Sequence, residues 1–268
     1  MEASGNLSKM KTSLGSEIEY SLFLGGQEIE LNDYIGTEIS LVFNGVINCV
    51  SCGKVTKKAF GQGFCYSCFI NSPMNAECII RPELCEAHLG KGRDPEWEKK
   101  HHLQKHYVYL ALTSKVKVGV TRHDQIPTRW IDQGAWKAIK IAETENRQEA
   151  GLIEVSLKNH MGDKTPWRDM LKDVRDTSVN LIELRDKAIQ LFPDNLSKYA
   201  LTDSEVVELN FPVDEYPEKI KSLNFDKTPE ISGTLIGIRA QYLLFEGGEV
   251  LNIRKFSGYH IDFSSLDY

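Results

Sequence analysis

The residues best suited to chemistry in this 268-residue chain are its six cysteines, which all lie between Cys49 and Cys85. The first four are spaced as Cys49-x2-Cys52-x12-Cys65-x2-Cys68. Each Cys-x-x-Cys turn directs two sulfurs toward one point, and four thiolates about 2.3 Å from Zn²⁺ complete a tetrahedral shell. Glycines in the spacer allow a short hairpin that brings the two turns together. The spacing therefore predicts a structural zinc site.

Disulfides are the alternative for the same cysteines, but disulfides persist mainly in oxidising compartments. The start of the chain, Met1-Glu2-Ala3-Ser4-Gly5-Asn6, lacks the apolar core of a secretory signal. No apolar run approaches the ~20 residues that a membrane-spanning helix needs. We therefore expect bound zinc, a cytoplasmic location and no membrane partner.

A second group of metal-binding side chains follows the first, spaced as Cys78-x6-Cys85-x2-His88. Three histidines lie further along the chain, at His101, His102 and His106. Two thiolates and two imidazoles complete a zinc shell, so the pattern predicts a second structural site with one of these histidines as its fourth ligand. Spacing leaves two alternatives open: a buried structural cysteine pair with solvated histidines, or His88 as a ligand of the first site.

The strands and helices that would position further functional side chains are clearest between residues 106 and 160. The pattern predicts a strand over 107–112, a tight turn at Ser114, a strand over 117–121, a helix over 128–133 that ends at Gly134, a strand over 138–142, and a helix over about 146–160. The order is strand–strand–helix–strand–helix.

This order resembles the core of the GIY-YIG nuclease superfamily, with Tyr107-Val108-Tyr109 and Lys117-Val118-Gly119 in place of its two strand motifs. Arg129 on the first helix and Glu154 on the second strengthen the resemblance. Together with the cysteine-rich block, the chain resembles an uncharacterised bacterial domain-of-unknown-function family that has a zinc ribbon before a GIY-YIG-like core. The implied fold class is α+β.

The superfamily resemblance implies roles for four residues, which we take as the candidate catalytic set: Tyr109, Lys117, Arg129 and Glu154. In the superfamily, tyrosines from both motifs line the site, the arginine contacts the scissile phosphate, and the glutamate holds a divalent metal. Mg²⁺ or Mn²⁺ is therefore implied at Glu154, while zinc is structural. Lys117 stands where the second tyrosine is expected, and could bind phosphate or accept a proton. The family resemblance also favours His102 as the fourth ligand of the second zinc.

The strands at the two ends of the chain predict one shared antiparallel β-module. Residues 17–48 alternate apolar and polar side chains, with turns expected at Gly25-Gly26 and Asn44-Gly45, and residues 233–253 have the same texture. Helix is expected over 165–192, and a proline-rich connector over 194–230. The predicted domains are 1–48, 49–105 with the metal ligands, 106–162 with the core, 163–230, and 231–268.

Net charge is −6, yet the segment 45–175 is net positive between two acidic flanks. A basic middle favours a phosphate-bearing partner such as nucleic acid. Three functions fit these patterns: a metal-dependent phosphodiesterase or nuclease, a catalytically inactive module that binds RNA, tRNA or a nucleotide, and a protein-interaction scaffold that uses the acidic β-module. Substitution of Glu154 separates the first two, because only cleavage needs its carboxylate.

Overall fold

A computed structural model describes residues 2–158, 160–162 and 165–265. The chain divides into two compact units, which are unit 1 (Met1–Ile70 with Asn210–Tyr268) and unit 2 (Asn71–Leu209). Each unit mixes strands and helices. The Cys/His region predicted over 49–105 is divided at residue 70, so that each cysteine group belongs to a different unit. Among the described helices, none is both long enough and apolar enough to cross a membrane.

The described strands and helices have the following bounds. The strands are β1 (Glu2–Asn6), β2 (Lys11–Leu14), β3 (Ile18–Leu24), β4 (Gln27–Glu30), β5 (Glu38–Ile47), β6 (His106–Leu112), β7 (Val116–Arg122), β8 (Lys137–Thr144), β9 (Val207–Glu208), β10 (Lys221–Ser222), β11 (Glu230–Arg239), β12 (Tyr242–Phe245), β13 (Glu249–Asn252) and β14 (Tyr259–Ser265). The helices are α1 (Tyr66–Asn71), α2 (Pro95–His102), α3 (Thr128–Asp132), α4 (Arg147–Lys158), α5 (Trp167–Leu171) and α6 (Leu181–Ile189).

Unit 1 is built on a sheet that joins the two ends of the chain, in the order β1-β14-β5-β11-β12-β13-β10. Strand β5 lies between β14 and β11 and pairs antiparallel with both. Strands β2, β3 and β4 form a separate antiparallel sheet in the same unit. In β3 the residues at alternating positions, such as Ile18, Tyr20, Leu22 and Leu24, are buried, which is the period of a strand with one face in the core. The pairing agrees with the predicted β-module.

The two glycine turns predicted for the N-terminal strands have different outcomes. Gly25-Gly26 joins β3 to β4 as expected. Asn44-Gly45 does not form a hairpin, because it lies inside β5. Gly45 has a φ of 86°, and the pairing of β5 with β14 changes register next to it. The glycine therefore accommodates a bulge within a continuous strand, which uses the same left-handed backbone freedom as a turn.

Unit 2 contains an antiparallel sheet in the order β7-β6-β8-β9, with α4 packed against it. The strand–strand–helix–strand–helix order predicted for residues 106–160 is present. Central strand β6 is apolar and almost wholly buried because both of its edges and both of its faces are covered. Helix α4 directs Ala150, Ile153 and Leu157 into this core at helical spacing. This packing fixes the positions of strand β7 and helix α4 relative to each other.

The helical prediction over 165–192 holds only in part. Helices α5 and α6 occupy its two ends, while residues 172–180 are not helical. Asp173 has a φ of 54°, a left-handed conformation that ends α5. Helix α6 begins after Asn180, whose side chain accepts hydrogen bonds from the backbone of Ile182 and Glu183. A periodic pattern of apolar residues cannot reveal such an interruption, because both segments keep helical spacing on either side of it.

Candidate functional site

The first cysteine group lies in unit 1, directly after β5. Its four sulfurs, from Cys49, Cys52, Cys65 and Cys68, all lie within 4.8 Å of one another. The backbone N–H of Gly53 donates to the carbonyl of Cys49 at 2.8 Å, which closes the first turn, and the Phe60–Phe64 pairing closes the spacer hairpin. The group could therefore hold zinc.

Electrostatics within this group fit a cation at its centre. Burial acts to raise the pKa of Cys49, but hydrogen bonds from the backbone of Cys65, Cys52 and Ser51 outweigh it and lower that pKa to about 6. The pKa of Cys68 is raised to about 12, chiefly by the side chain of Cys52. One thiol thus ionises easily and another resists, as expected where negative charge converges. A divalent ion relieves that repulsion and takes all four sulfurs as thiolates.

The second group lies in unit 2 and is completely buried. It comprises Cys78, Cys85, Glu98 and His102, whose ligand atoms lie within 4.8 Å of one another. The Nδ1 atom of His102 is 4.0 Å from the sulfur of Cys78 and 3.5 Å from that of Cys85. It is also 3.6 Å from a carboxylate oxygen of Glu98. Two thiols, an imidazole and a carboxylate at one point form a donor set that could hold zinc.

This set differs from the predicted one in a single member, because Glu98 is present and His88 is not. His88 lies in a short 3₁₀ turn, Ala87–Leu89, and is exposed. Glu98 and His102 are four residues apart on α2, so both side chains project from the same face of the helix. Asp94 caps α2 by accepting from the backbone of Trp97 at 3.1 Å. The capping residue Asp94 and the i,i+4 spacing of Glu98 and His102 are the sequence signals that could have identified Glu98 as a ligand.

Neighbouring groups hold Glu98 in place. The backbone N–H of Arg93 donates to its second carboxylate oxygen at 2.9 Å, which leaves the first oxygen directed at His102. Gly92 packs against the carboxylate so closely that a Cβ there would collide with it. Such secondary contacts orient metal ligands. The hydrogen bond with Cys78, and then that with His102, lower the pKa of Cys85, which favours the thiolate that a metal needs.

A small cleft in unit 2 gathers most of the predicted catalytic residues. Its volume is about 170 Å³. It is lined by Ile79, Ile80, Pro82, Lys117, Val118, Gly119, Val120, Arg129, Gln133, Arg147, Glu154 and Lys158. Four of these side chains are cationic and one is a carboxylate, so the lining has an excess of positive charge. That composition can attract and hold an anion.

Arg129 and Tyr109 are connected through the amide of Gln133, and Lys117 lies on β7. With its oxygen turned toward Arg129, Gln133 accepts from Nε at 3.0 Å and Nη2 at 3.1 Å, and its NH₂ group donates to the Tyr109 hydroxyl at 2.9 Å. A neutral amide thus orients the guanidinium and leaves its charge in place. Lys117 is 6% exposed, and its ammonium donates to the hydroxyl of Thr165 at 3.4 Å.

Tyr109 does not line the cleft but contacts Gln133, which does. Its side chain is fully buried in β6, and burial raises the pKa of its hydroxyl. Gly119 faces it across the sheet, where an added Cβ would lie 2.5 Å from the hydroxyl. A phenol in this setting keeps its proton at neutral pH. Of the four candidate catalytic residues, the cleft therefore brings together Lys117, Arg129 and Glu154.

Helix α4 supplies Glu154 and two cations that the sequence analysis missed. Glu154 is 8% exposed, and its carboxylate lies 3.3 Å from the ammonium of Lys158. Arg147 lies two turns before Glu154 on the same helix. Lys158 is four residues after Glu154 and Arg147 is seven residues before it, so all three side chains lie on the same face of the helix. These spacings are the sequence signals that could have identified both cations.

The second cysteine group and the cleft share a wall. Residues 79–82, which lie between Cys78 and Cys85, contribute Ile79, Ile80 and Pro82 to the lining. The guanidinium of Arg147 donates to the carbonyls of Cys78 at 2.8 Å and Ile79 at 2.7 Å. Gly151 of α4 approaches the backbone of residues 82–83 so closely that a Cβ would overlap it. The cysteine loop is thus packed onto the helix that carries Glu154.

The comparisons with known proteins give a family and no function. The family described as "Protein of unknown function (DUF2797)" matches residues 36–261. The match covers most of the chain, and the chain belongs to this family. No curated protein and no solved structure matches it.

Proposed function

We propose that this DUF2797 family member binds a phosphodiester group of a nucleic acid in the cleft of unit 2. The observation that carries the proposal is the lining itself, in which four cationic side chains surround a single carboxylate. Gln133 holds the Nε/Nη2 edge of Arg129, and the carbonyls of Cys78 and Ile79 hold that of Arg147. The two guanidiniums therefore bring fixed positive charge to contacts with phosphate oxygens, and Lys117 and Lys158 add ammonium charges. Such contacts fix a nucleic-acid backbone without reading its bases.

The size of the cleft agrees with one phosphate group of a larger ligand. Sites that enclose a whole small molecule usually measure roughly 300–1,000 Å³, whereas this cleft measures about 170 Å³. The sugar and base of the bound nucleotide would therefore lie outside it. Binding of this kind releases counterions from the nucleic acid, so its affinity falls as salt rises.

The resemblance to a GIY-YIG-like core preceded by a zinc ribbon supports the same assignment. Residues 106–158 have the order of strands and helices that this core requires. Both four-residue groups, Cys49/Cys52/Cys65/Cys68 and Cys78/Cys85/Glu98/His102, would hold zinc as structural sites, since a set of four protein ligands leaves no position for a substrate.

Phosphodiester hydrolysis is a second candidate function, favoured by the presence of the Glu154 carboxylate in the same cleft as the cations. Glu154 would hold Mg²⁺ or Mn²⁺, which supplies Lewis-acid chemistry and a bound water. Arg129 would offset charge on the phosphate oxygens, and Gln133 would keep its guanidinium oriented. Lys117 takes the place of the second tyrosine, and buried Tyr109 retains its proton, so we expect weak cleavage beside retained binding.

A matched pair of lysines tests the binding proposal. Lys117 lines the cleft, whereas Lys115 lies on the same hairpin and is exposed. Lys117→Ala should weaken binding of a labelled oligonucleotide and lower the slope of log affinity against log salt by about one, while Lys115→Ala should change neither. Equal effects of the two variants would refute the assignment. A tightly bound protein partner whose affinity is insensitive to salt would favour the scaffold alternative instead.

Glu154→Gln separates binding from cleavage. The substitution keeps the shape of the side chain and removes the charge that a divalent ion needs. Under the second candidate function, Mg²⁺-dependent cleavage is lost and oligonucleotide binding persists. Cleavage that survives Glu154→Gln would remove hydrolysis at this cleft from consideration.

A further inference from the structure

A second surface, in unit 1, has the composition of a nucleic-acid platform. We call it the aromatic–lysine surface, and it comprises Lys54, Lys57, Lys58, Phe60, Tyr66 and Phe69. These residues occupy the spacer of the first cysteine group and the first turn of α1, which follows it. The aromatic residues of this surface neither line the cleft nor belong to the four-cysteine group.

The three aromatic rings form a connected cluster. Phe60 lies between the other two, with ring centroids 5.3 Å from Tyr66 and 5.9 Å from Phe69. Tyr66 is 63% exposed, and the two phenylalanines are half-buried. The ring of Tyr66 is thus largely open to solvent while it packs against Phe60.

The segment that carries these rings is basic. All three lysines of the surface are exposed, and the ammonium of Lys58 lies 5.4 Å from the centroid of Phe60. The sequence contains no aspartate or glutamate between Glu38 and Glu77, so no acidic side chain of this segment neutralises them. The chain as a whole has a net charge of −6, which makes this local excess of lysine distinctive.

We propose that the aromatic–lysine surface binds single-stranded nucleic acid. A base stacks on the open face of Tyr66, and the lysines contact the phosphates on either side. Stacking on an aromatic ring requires a base that is not already stacked within a duplex, which selects a single strand. Lysines that alternate with aromatic residues supply backbone contacts without sequence preference. An acidic peptide would satisfy the lysines but would leave the ring of Tyr66 unused.

The first test is the affinity of the full-length protein for a labelled oligothymidylate. Tyr66→Ala should weaken binding about tenfold, and Tyr66→Phe should bind like the wild type, because the ring and not the hydroxyl makes the contact. Leu89→Ala, which shortens another exposed apolar side chain, is the control (57% exposed). Wild-type affinity in Tyr66→Ala overturns the proposal, as does equal competition by polyglutamate or by a duplex of the same length.

A second variant is needed because Tyr66 is adjacent to Cys65, so that Tyr66→Ala could disturb the fold around the first cysteine group. The triple substitution of Lys54, Lys57 and Lys58 by alanine should lower the salt slope by about two, as expected for three contacts to a single strand. Zinc content should remain at the wild-type level. An unchanged slope in this variant contradicts the proposal. Lys117→Ala tests the cleft of unit 2 separately, so the failure of either site is recognisable on its own.

Discussion

The two cysteine groups differ in how they are assembled. The first takes all four sulfurs from one stretch of twenty residues, and Cys52 within it is exposed. The second takes two sulfurs from a loop and two further ligands from α2, and all four side chains are buried. The first group closes a local hairpin, whereas the second fixes a loop whose intervening residues form a wall of the cleft.

This difference indicates separate roles for two sites with similar ligands. We expect loss of metal from the first group to affect unit 1, which contains its turns and spacer. Loss from the second should reach the cleft through residues 79–82 and through Arg147, which donates to the carbonyls of Cys78 and Ile79. The second group is therefore part of the architecture of the proposed phosphate site.

The largest effect is expected from breaking each group in turn. Cys78→Ser removes a buried ligand and should destabilise unit 2 by at least about 3 kcal/mol, with loss of oligonucleotide binding in the cleft. Cys52→Ser should release the zinc of the first group and leave hydrogen exchange in unit 2 unchanged. Amide exchange resolved along the sequence, together with zinc content, measures both. Loss of protection in unit 2 after Cys52→Ser would remove the distinction between the two groups.

The identity of the fourth ligand in the second group gives the next effect. Glu98→Ala should weaken zinc binding at least about tenfold, because it deletes the carboxylate that lies 3.6 Å from His102. His88→Ala should leave zinc affinity unchanged, since His88 is exposed in its 3₁₀ turn. Competition with a chromogenic chelator reports the affinity. Weaker zinc binding in His88→Ala would restore the ligand set expected from the spacing.

These two groups also show how far sequence reasoning reaches. The Cys-x-x-Cys spacing specified the first group completely, because all of its ligands lie on adjacent turns. In the second group, spacing identified the two cysteines and the family resemblance favoured His102. Identification of Glu98 required helix α2, which was not predicted. Likewise, Lys117, Arg129 and Glu154 were expected together, whereas Arg147 and Lys158 required the helical face of α4.

Burial was the property that sequence could not provide. The superfamily resemblance predicted Tyr109 as a site residue, yet its side chain is fully buried in β6 and does not line the cleft. Asn44-Gly45 has the composition of a hairpin turn, but the partner strand β14 extends past it and makes it a bulge. The bulge depends on β14, which lies far away in sequence, whereas the burial of Tyr109 depends on the position of β6 between β7 and β8.

The contact between α4 and the cysteine loop can be loosened without touching a ligand. Gly151→Ala places a methyl group against the backbone of residues 82–83, and the overlap should cost about 1–3 kcal/mol and weaken oligonucleotide binding. Val155→Ala on the same helix is a control, because Val155 is 39% exposed. Thermal unfolding and binding assays measure the two effects. Unaltered binding in Gly151→Ala would show that the wall does not influence the cleft.

The smallest effect concerns unit 1 alone. Burial, and then the hydrogen bond from the Tyr259 hydroxyl to Asp226 at 2.9 Å, raise the pKa of Tyr259 to about 12. The folded state therefore favours the neutral phenol, so this stabilisation is complete below the usual pKa of about 10 and is lost as pH rises toward 12. In Tyr259→Phe this part of the alkaline destabilisation should disappear. An identical pH profile in denaturant unfolding would contradict it.

The most direct test of the proposed phosphate site is hydrogen exchange of the full-length protein with and without a bound oligonucleotide. We expect added protection in three segments that enclose the cleft, 79–82, 117–120 and 147–158, and we expect Lys117→Ala to abolish it there. Binding that protects other segments while these three remain unchanged would contradict the assignment of the cleft as a nucleic-acid phosphate site.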